Sequence, residues 1–322
     1  ASSESDIQMQ NQNYFLPAEA QYDNDLELED ELNSAVEFSP WSKSMPMTMA
    51  TTGTLFGLSA ALLGQKFCVS ILPSGLVPVP SFATFVATFG PLWGVHRFLE
   101  KKFGSKANST YFNTAVGIGV VTGCGILELV SRGQHTALGI FACALGFYHF
   151  AEFALVARFN RHLLSVDSYL VNQSWSFTIA MTAACAEYFV EYQLFPSMKN
   201  NKVLLAVGLA GIIFGEFFRK GAMICAAHNF THLVAEEHQP GHRLVTTGLY
   251  AYSRHPSYFG WFWWSIATQV LLANPVCAAG FSYASYVFFR NRIVYEEHML
   301  ERFFPEYRAY RQRVPTRIPF IP

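Results

Sequence analysis

Apolar runs dominate this chain, and polar stretches only interrupt them. Eight runs approach the ~20 helical residues needed to cross a hydrocarbon core of ~30 Å. They cover residues 47–72, 77–95, 111–130, 136–157, 169–195, 203–227, 258–272 and 276–290. The last two are short and are joined only by "LLANPV", where Asn274-Pro275 reads as a tight turn. They therefore form a helical hairpin that is shallow, tilted or both. Small residues recur inside the runs ("GIGVVTGCG", "GLAGIIFGEFF"), as expected where helix backbones approach closely. The pattern predicts an all-α, polytopic membrane protein with about eight transmembrane helices.

Basic residues orient such a bundle. With eight spans, both termini lie on one side. The loops on that side carry Arg97, Lys101, Lys102, Lys106, Arg158, Arg161, Arg219, Lys220, Arg243 and Arg254, and the tail adds five more arginines from Arg302 to Arg317. The opposite loops carry Arg132, Lys199 and Lys202. The positive-inside rule then places both termini, and the polar segment 228–257, in the cytosol. Composition agrees with a membrane protein. Only 14% of the 322 residues are charged and 51% are hydrophobic, whereas a soluble domain carries about a quarter charged residues. The net charge of −1 hides an acidic start ("QYDNDLELEDEL") and an arginine-rich end. Residues 1–45 are expected to be a flexible acidic segment, and no cleavable signal peptide is expected in front of the first span. The six cysteines form no C-x-x-C and read as reduced, small apolar side chains.

Segment 228–256, "HNFTHLVAEEHQPGHRLVTTGLYAYSRHP", holds five histidines. Their spacing fits no H-E-x-x-H pattern and no cysteine is interleaved, so no metal site is expected. The segment reads as an extended piece, a turn at Thr247-Gly248, and a helix beginning near Pro256. Proline suits a first helical turn. Free amides at Ser257 and Tyr258, with the positive end of the helix dipole, make a site for an anion. The same features also suit a plain helix start at the membrane surface. A second polar knot closes the hairpin in "VFFRNRIVYEEHML". Arg292 and Glu296 share one helix face at i,i+4, and Glu297 lies about 100° away. Charges emerging from an apolar helix are costly without partners or water. The hairpin turn brings the two knots side by side. Glu128, Glu152, Glu187 and Glu216 lie in or near apolar runs and read as interhelical pairing residues.

"RHPSYFGW" followed by "EEHML" resembles the R-H-P-x-Y-x-G … E-E-x-x-L pattern of integral-membrane methyltransferases. That group includes phospholipid methyltransferases and is similar to a set of sterol reductases. Within it, the chain most closely resembles isoprenylcysteine carboxyl methyltransferases. The segments "GEFFRKGAMICAAHNFTHLV", "HRLVTTGLYAYSRHPSYFGWFWWSIATQVLLANPVC" and "FFPEYRAYRQRVPTRIPFI" carry that resemblance, which is strongest over residues 202–322 and looser from about residue 111.

The resemblance implies transfer of a methyl group from S-adenosylmethionine to the terminal carboxylate of a prenylated cysteine, with S-adenosylhomocysteine as the other product. The partners would be C-a-a-X proteins ending in a farnesylated or geranylgeranylated cysteine, together with membrane lipid. No nucleic acid and no metal are implied. The place would be the cytosolic face of the endoplasmic reticulum membrane. Residues 46–227 would then be membrane helices one to six, and 228–322 a catalytic region. By the family pattern His242, Arg243, Leu244 and Val245 run along the cofactor and Tyr250 closes on it. His255, Pro256, Ser257 and Tyr258 supply the helix start, Glu296 is a second cofactor contact, and Arg292 holds the substrate carboxylate. Ala235 departs from the pattern, where Gln is expected, which removes a side-chain contact. Aromatic residues from Phe259 to Trp264 bury the hairpin or line the route of the prenyl chain. A phospholipid methyltransferase, a nicotinamide-dependent sterol-type reductase and a transporter or channel are the competing readings. No G-x-G-x-x-G opens a soluble helix and no inverted repeat is visible, which counts against the last two.

Overall fold

The computed structural model describes residues 50–51, 53–55, 57–58, 106–171, 174–238 and 241–322. Most of the two predicted spans at 47–72 and 77–95, and the acidic segment 1–45, lie outside the described residues. The architecture is helical, with no strand among the described residues. Six long helices follow one another: α1 (Lys106–Val130), α2 (Thr136–Phe159), α3 (Trp175–Leu194), α4 (Lys202–Ala226), α5 (Pro256–Leu271) and α6 (Pro275–Phe303). A short helix, α7 (Tyr307–Arg313), precedes the tail. Two of these have an apolar run long enough to cross a membrane, over Thr110–Val130 and Thr136–Phe159.

The helix limits follow local chemistry. The apolar run at 169–195 starts six residues before its helix does, because Leu170 adopts a left-handed conformation and Ser174 Oγ caps α3 by accepting from the Phe177 amide. Asn201 Oδ1 caps α4 by accepting from the amides of Val203 and Leu204. Pro256 and Pro275 each open a helix at its first turn. The α6 helix runs thirteen residues beyond the apolar stretch that ends at Arg290, carrying Arg292, Glu296 and Glu297 on continuous helix.

Helices α4 and α5 are the most intimately packed pair. A Cβ on Gly208 would stand 2.4 Å from the Leu271 backbone, and one on Gly260 would stand 2.5 Å from the Arg219 amide. Only glycine permits this backbone approach. The contact fixes the start of α5 against the end of α4. A buried cluster of Phe218, Phe259, Phe262, Phe289, Ile293, Ile318 and Ile321 joins both helices to α6 and to the tail. The tail is thus a packed wall. Ser253 Oγ donates to the Thr316 carbonyl at 2.7 Å, and the Arg254 amide donates to the Pro315 carbonyl.

Candidate active site

An open cleft with about 110 Å³ of enclosed room lies where α4 ends, α5 begins and α6 emerges from its apolar stretch. Its walls include His242, Arg243, Leu244, Val245, Tyr250, His255, Pro256, Ser257, Tyr258 and Glu296. Ala235 also faces it, with a methyl group in place of the longer side chain expected there. Arg292 stands just beyond, tied to the cleft through Tyr258. All the candidate residues read from the sequence are therefore neighbours in space.

Local structure explains how each reaches the cleft. Gly248 takes φ +61 at the turn expected at Thr247-Gly248, which reverses the chain after the arm 242–245. Asn229 Oδ1 accepts from the Arg243 amide at 2.9 Å and so holds the arm. Asn160 Nδ2 donates to the carbonyls of Ala227 and Phe230 at 3.1 and 2.7 Å, pinning the chain that leaves α4. Leu244 packs on a cluster of Phe304, Tyr307 and Tyr310, and Tyr310 Oη donates to the Tyr250 carbonyl at 2.6 Å.

Tyr258 is the hub. Its hydroxyl donates to Glu296 and accepts from Arg292 Nε at 2.7 Å. Its ring stacks on His255 at 5.5 Å and on Phe289 at 5.0 Å. The first turn of α5 has no side-chain cap, so amides at Ser257 and Tyr258 stay available to a ligand. His242 Nδ1 is buried without a hydrogen-bond partner. Burial, with the neighbouring His238 charge, pushes the His242 imidazole down and keeps it neutral. An orphaned polar atom, an uncapped helix start and a carboxylate thus face one cavity. They fit a ligand with anionic, amine and hydroxyl groups.

Glu297 plays a different part from its neighbour Glu296. It is buried and accepts from His255 Nε2 at 3.0 Å, from Arg254 Nε, and from Arg311 Nε at 3.0 Å. Burial alone would raise its carboxyl, but the bonds from His255 and Arg254 and their charges hold it at about 2. Arg254 also donates to the Val314 and Pro322 carbonyls. Its guanidinium braces the tail. Burial and the Glu296 charge push the Tyr250 phenol up, so it stays protonated.

Residues 206–302 match the family described as the isoprenylcysteine carboxyl methyltransferase (ICMT) family. The Xenopus laevis protein-S-isoprenylcysteine O-methyltransferase is 43% identical over 205 residues, spanning 63% of this chain and 71% of that protein. The Saccharomyces cerevisiae enzyme of the same name is 39% identical over 215 residues, 65% and 90% of the two chains. The chain belongs to the isoprenylcysteine carboxyl methyltransferase family. A solved structure of the eukaryotic intramembrane Ras methyltransferase ICMT superposes with a TM-score of 0.77 at 34% identity, covering 88% of this chain and 99% of that one.

For an isoprenylcysteine carboxyl methyltransferase, the cleft rests on residues behind its lining that the sequence pattern does not assign to it. Arg219 Nη1 donates to Ser257 Oγ at 2.6 Å, while its Nε and Nη2 are bidentate on Glu152. Lys220 Nζ also donates to Glu152, at 2.6 Å. Glu152 is the interhelical partner that its place in an apolar run implies. That its partner Arg219 reaches the α5 start is not visible in the sequence, because Arg219 lies 67 positions from Glu152 and a further 38 from Ser257. The signal available was a charged pair, Arg219-Lys220, at the end of an apolar run. Glu216 pairs within its own helix, with Lys220 at 3.5 Å. Glu128 accepts from the His135 amide at 2.7 Å in the adjoining turn. For Glu216 the expectation of interhelical pairing is corrected, whereas Glu128 on α1 does join a neighbouring helix, at the N-cap of α2. Among the described residues no group of His, Cys, Asp and Glu could hold a metal ion.

Proposed function

We propose that this protein transfers the methyl group of S-adenosylmethionine to the α-carboxylate of a C-terminal farnesylated or geranylgeranylated cysteine of C-a-a-X proteins. The carrying observation is the single cleft that gathers Glu296, the arm 242–245 and the uncapped α5 start, with Arg292 tied to its edge through Tyr258. Family membership points to the same chemistry. The reaction takes place at the cytosolic face of the endoplasmic reticulum membrane, where a soluble charged cofactor and a lipid-bearing substrate both arrive.

S-adenosylmethionine supplies an electrophilic methyl group when bound and leaves as S-adenosylhomocysteine. The residues of the chain provide position and a dry setting. Free amides at Ser257 and Tyr258 meet the carboxylate end of the cofactor, and Glu296 meets its amino or hydroxyl groups. His242 Nδ1 offers one more polar contact, and Leu244 and Val245 cover apolar surface. Arg292 presents a planar fork to the substrate carboxylate. That carboxylate is ionised at neutral pH, so no general base is required. Alignment of the two substrates and exclusion of water from the nucleophile supply the acceleration.

The test is methyl transfer in detergent from radiolabelled S-adenosylmethionine to N-acetyl-S-farnesylcysteine, with an aminophospholipid as competing acceptor. A base-labile methyl ester on the farnesylcysteine supports the proposal. Transfer to the lipid amine alone, or to neither, overturns it.

A further inference from the structure

Two polar networks meet at one residue that neither the arm nor the α5 start contains. Beneath the cleft, Glu152 on α2 is fully buried and collects donors from Arg219, Lys220 and His232, the last through Nε2 at 2.7 Å. At the rim, Arg292 is held by two contacts. Its Nε donates to Tyr258 Oη at 2.7 Å and its Nη2 donates to the His232 carbonyl at 2.5 Å. His232 therefore grips Glu152 with its ring and Arg292 with its backbone.

The surrounding chain makes that double hold consequential. His232 sits in a bend without helix or strand, just after the helical turn at Ala227–Asn229. Thr231 Oγ1 donates to the Leu233 carbonyl at 2.6 Å, tightening the bend. Phe230 packs edge-on to the imidazole, and the Arg219 guanidinium lies over the Phe230 ring at 5.6 Å. Without the Glu152 contact, a loop of this kind has little to fix the direction of one carbonyl. With it, two of the five donors of Arg292 are committed to the protein and the other three are left on a defined edge.

We propose that His232, anchored by the buried carboxylate of Glu152, is a positioning residue that aims the Arg292 guanidinium at the substrate carboxylate. The inference rests on the role proposed above for Arg292. A misplacement of about 1 Å far from the reacting atoms can cost about a hundredfold in rate, so a link of this kind is worth holding rigid. Glu152 thereby serves both sides of the cleft. One arm runs through Arg219 to Ser257 at the α5 start, and the other through His232 to Arg292.

The experiment compares His232→Phe with His232→Gln in the full chain, varying farnesylcysteine and S-adenosylmethionine separately. Phe keeps an aromatic ring but removes the donor to Glu152. Gln carries a donor that can reach the position of the imidazole Nε2. His232→Phe is expected to raise KM for farnesylcysteine about tenfold while KM for S-adenosylmethionine stays within about twofold, and His232→Gln is expected to restore most of that loss. A merely structural role would move both KM values together or only lower the yield of folded protein. That outcome, or a normal farnesylcysteine KM in His232→Phe, overturns the proposal. So does a His232→Gln variant as impaired as His232→Phe. Should His232→Phe not fold, His232→Asn, too short to reach Glu152, carries the same expectation. If the unsubstituted protein transfers no methyl group at all, the proposed function fails first and this inference falls with it.

Discussion

The two ends of the α5–α6 hairpin both bury charge, and they do it in opposite ways. At the turn end, Lys199 has a fully buried side chain and four acceptors. Its ammonium donates to Glu191 at 2.7 Å, to the carbonyls of Leu272 and Ala273 at 3.0 and 2.9 Å, and to Asn274 Oδ1 at 2.7 Å. Asn274 Nδ2 continues to the Ala184 carbonyl, and Glu187 accepts from the amides of Val276 and Cys277 at the start of α6. At the free end, the groups around the cleft are only partly used. Glu296 has Tyr258 as its donor, the α5 amides have no side-chain cap, and His242 Nδ1 has no partner. Saturated charge acts as a brace, because every group already has its answer within the chain. Unsaturated charge beside a cavity is a site, because it still has bonds to offer.

The sharpest way to break this contrast is to ask whether the two ends face opposite sides of the membrane, where the expected difference is all or none. Lys199 is one of the few basic residues of the opposite loops, yet its side chain is buried in the brace. Removing it from that count steepens the positive-inside bias. In a cysteine-free background, single cysteines at His238, Gln312 and Asn200 replace exposed side chains. In sealed endoplasmic reticulum vesicles an impermeant thiol reagent should label the first two, and the third only after the membrane is broken. Labelling of position 200 alone in intact vesicles would invert the topology and remove the argument for a cytosolic cofactor site.

Next in size is the loss of the brace itself. Lys199→Met leaves Glu191 and the turn carbonyls without their cation, and breaking a buried pair costs about 3–5 kcal/mol. The unfolding midpoint in detergent should fall accordingly, while turnover per folded molecule stays near normal. A variant of normal stability, or one that folds well but loses turnover, would show that the turn end is no brace.

At the cleft the effects should be smaller in free energy and visible in kinetics instead. Arg292→Ala should mainly weaken use of the prenylcysteine, and Glu296→Gln should mainly weaken cofactor affinity. Each loses a charge-assisted contact of about 1.5–3 kcal/mol, roughly tenfold or more. Because Tyr258 bonds both residues, some crossover is expected, but the ranking of the two KM changes should be opposite in the two variants. Normal constants for both substrates in both variants would remove Arg292 and Glu296 from the site.

Some of this was readable from sequence because it is local. The Arg254-His255-Pro256 helix start, the turn at Gly248 and the Arg292–Glu296 face depend on neighbours within a few residues. Six apolar runs from residue 111 onward each became a helix, since their period and length act alone. What could not be read depends on contacts far apart in the chain. Nothing local says that Glu152 meets Arg219, Lys220 and His232, or that the Arg254 guanidinium bonds Glu297 and the tail. Glu296 and Glu297 are adjacent in sequence, and only the phase of α6 against α5 sends one to the cleft and the other into the protein. The sequence puts an arginine-rich tail in the catalytic region, but nothing local says that Ile318 and Ile321 bury it in the core.

That split between Glu296 and Glu297 allows the finest test of the comparison. Glu297 has three basic partners and behaves like the saturated turn end, although it stands one residue from the open site. Its carboxyl is depressed from 4.5 to about 2 in the folded protein. A depressed acid contributes stability that is fully present above the unfolded value and is lost as pH falls through the folded one. The window therefore runs from about pH 4.5 down to about 2, and the loss between neutrality and pH 4 should be only about 1 kcal/mol. Other carboxylates titrate over the same range, so the measurement is a difference. Unfolding midpoints of the unsubstituted protein and of Glu297→Gln are followed from pH 7 to 4. The variant starts lower, because it leaves Arg254 buried without its counterion, but its decline should be shallower than that of the unsubstituted protein. The two curves converge as Glu297 begins to take up a proton. Parallel curves would mean that Glu297 has no more hold on its partners than an exposed carboxylate has, and the distinction between the two adjacent glutamates would fail.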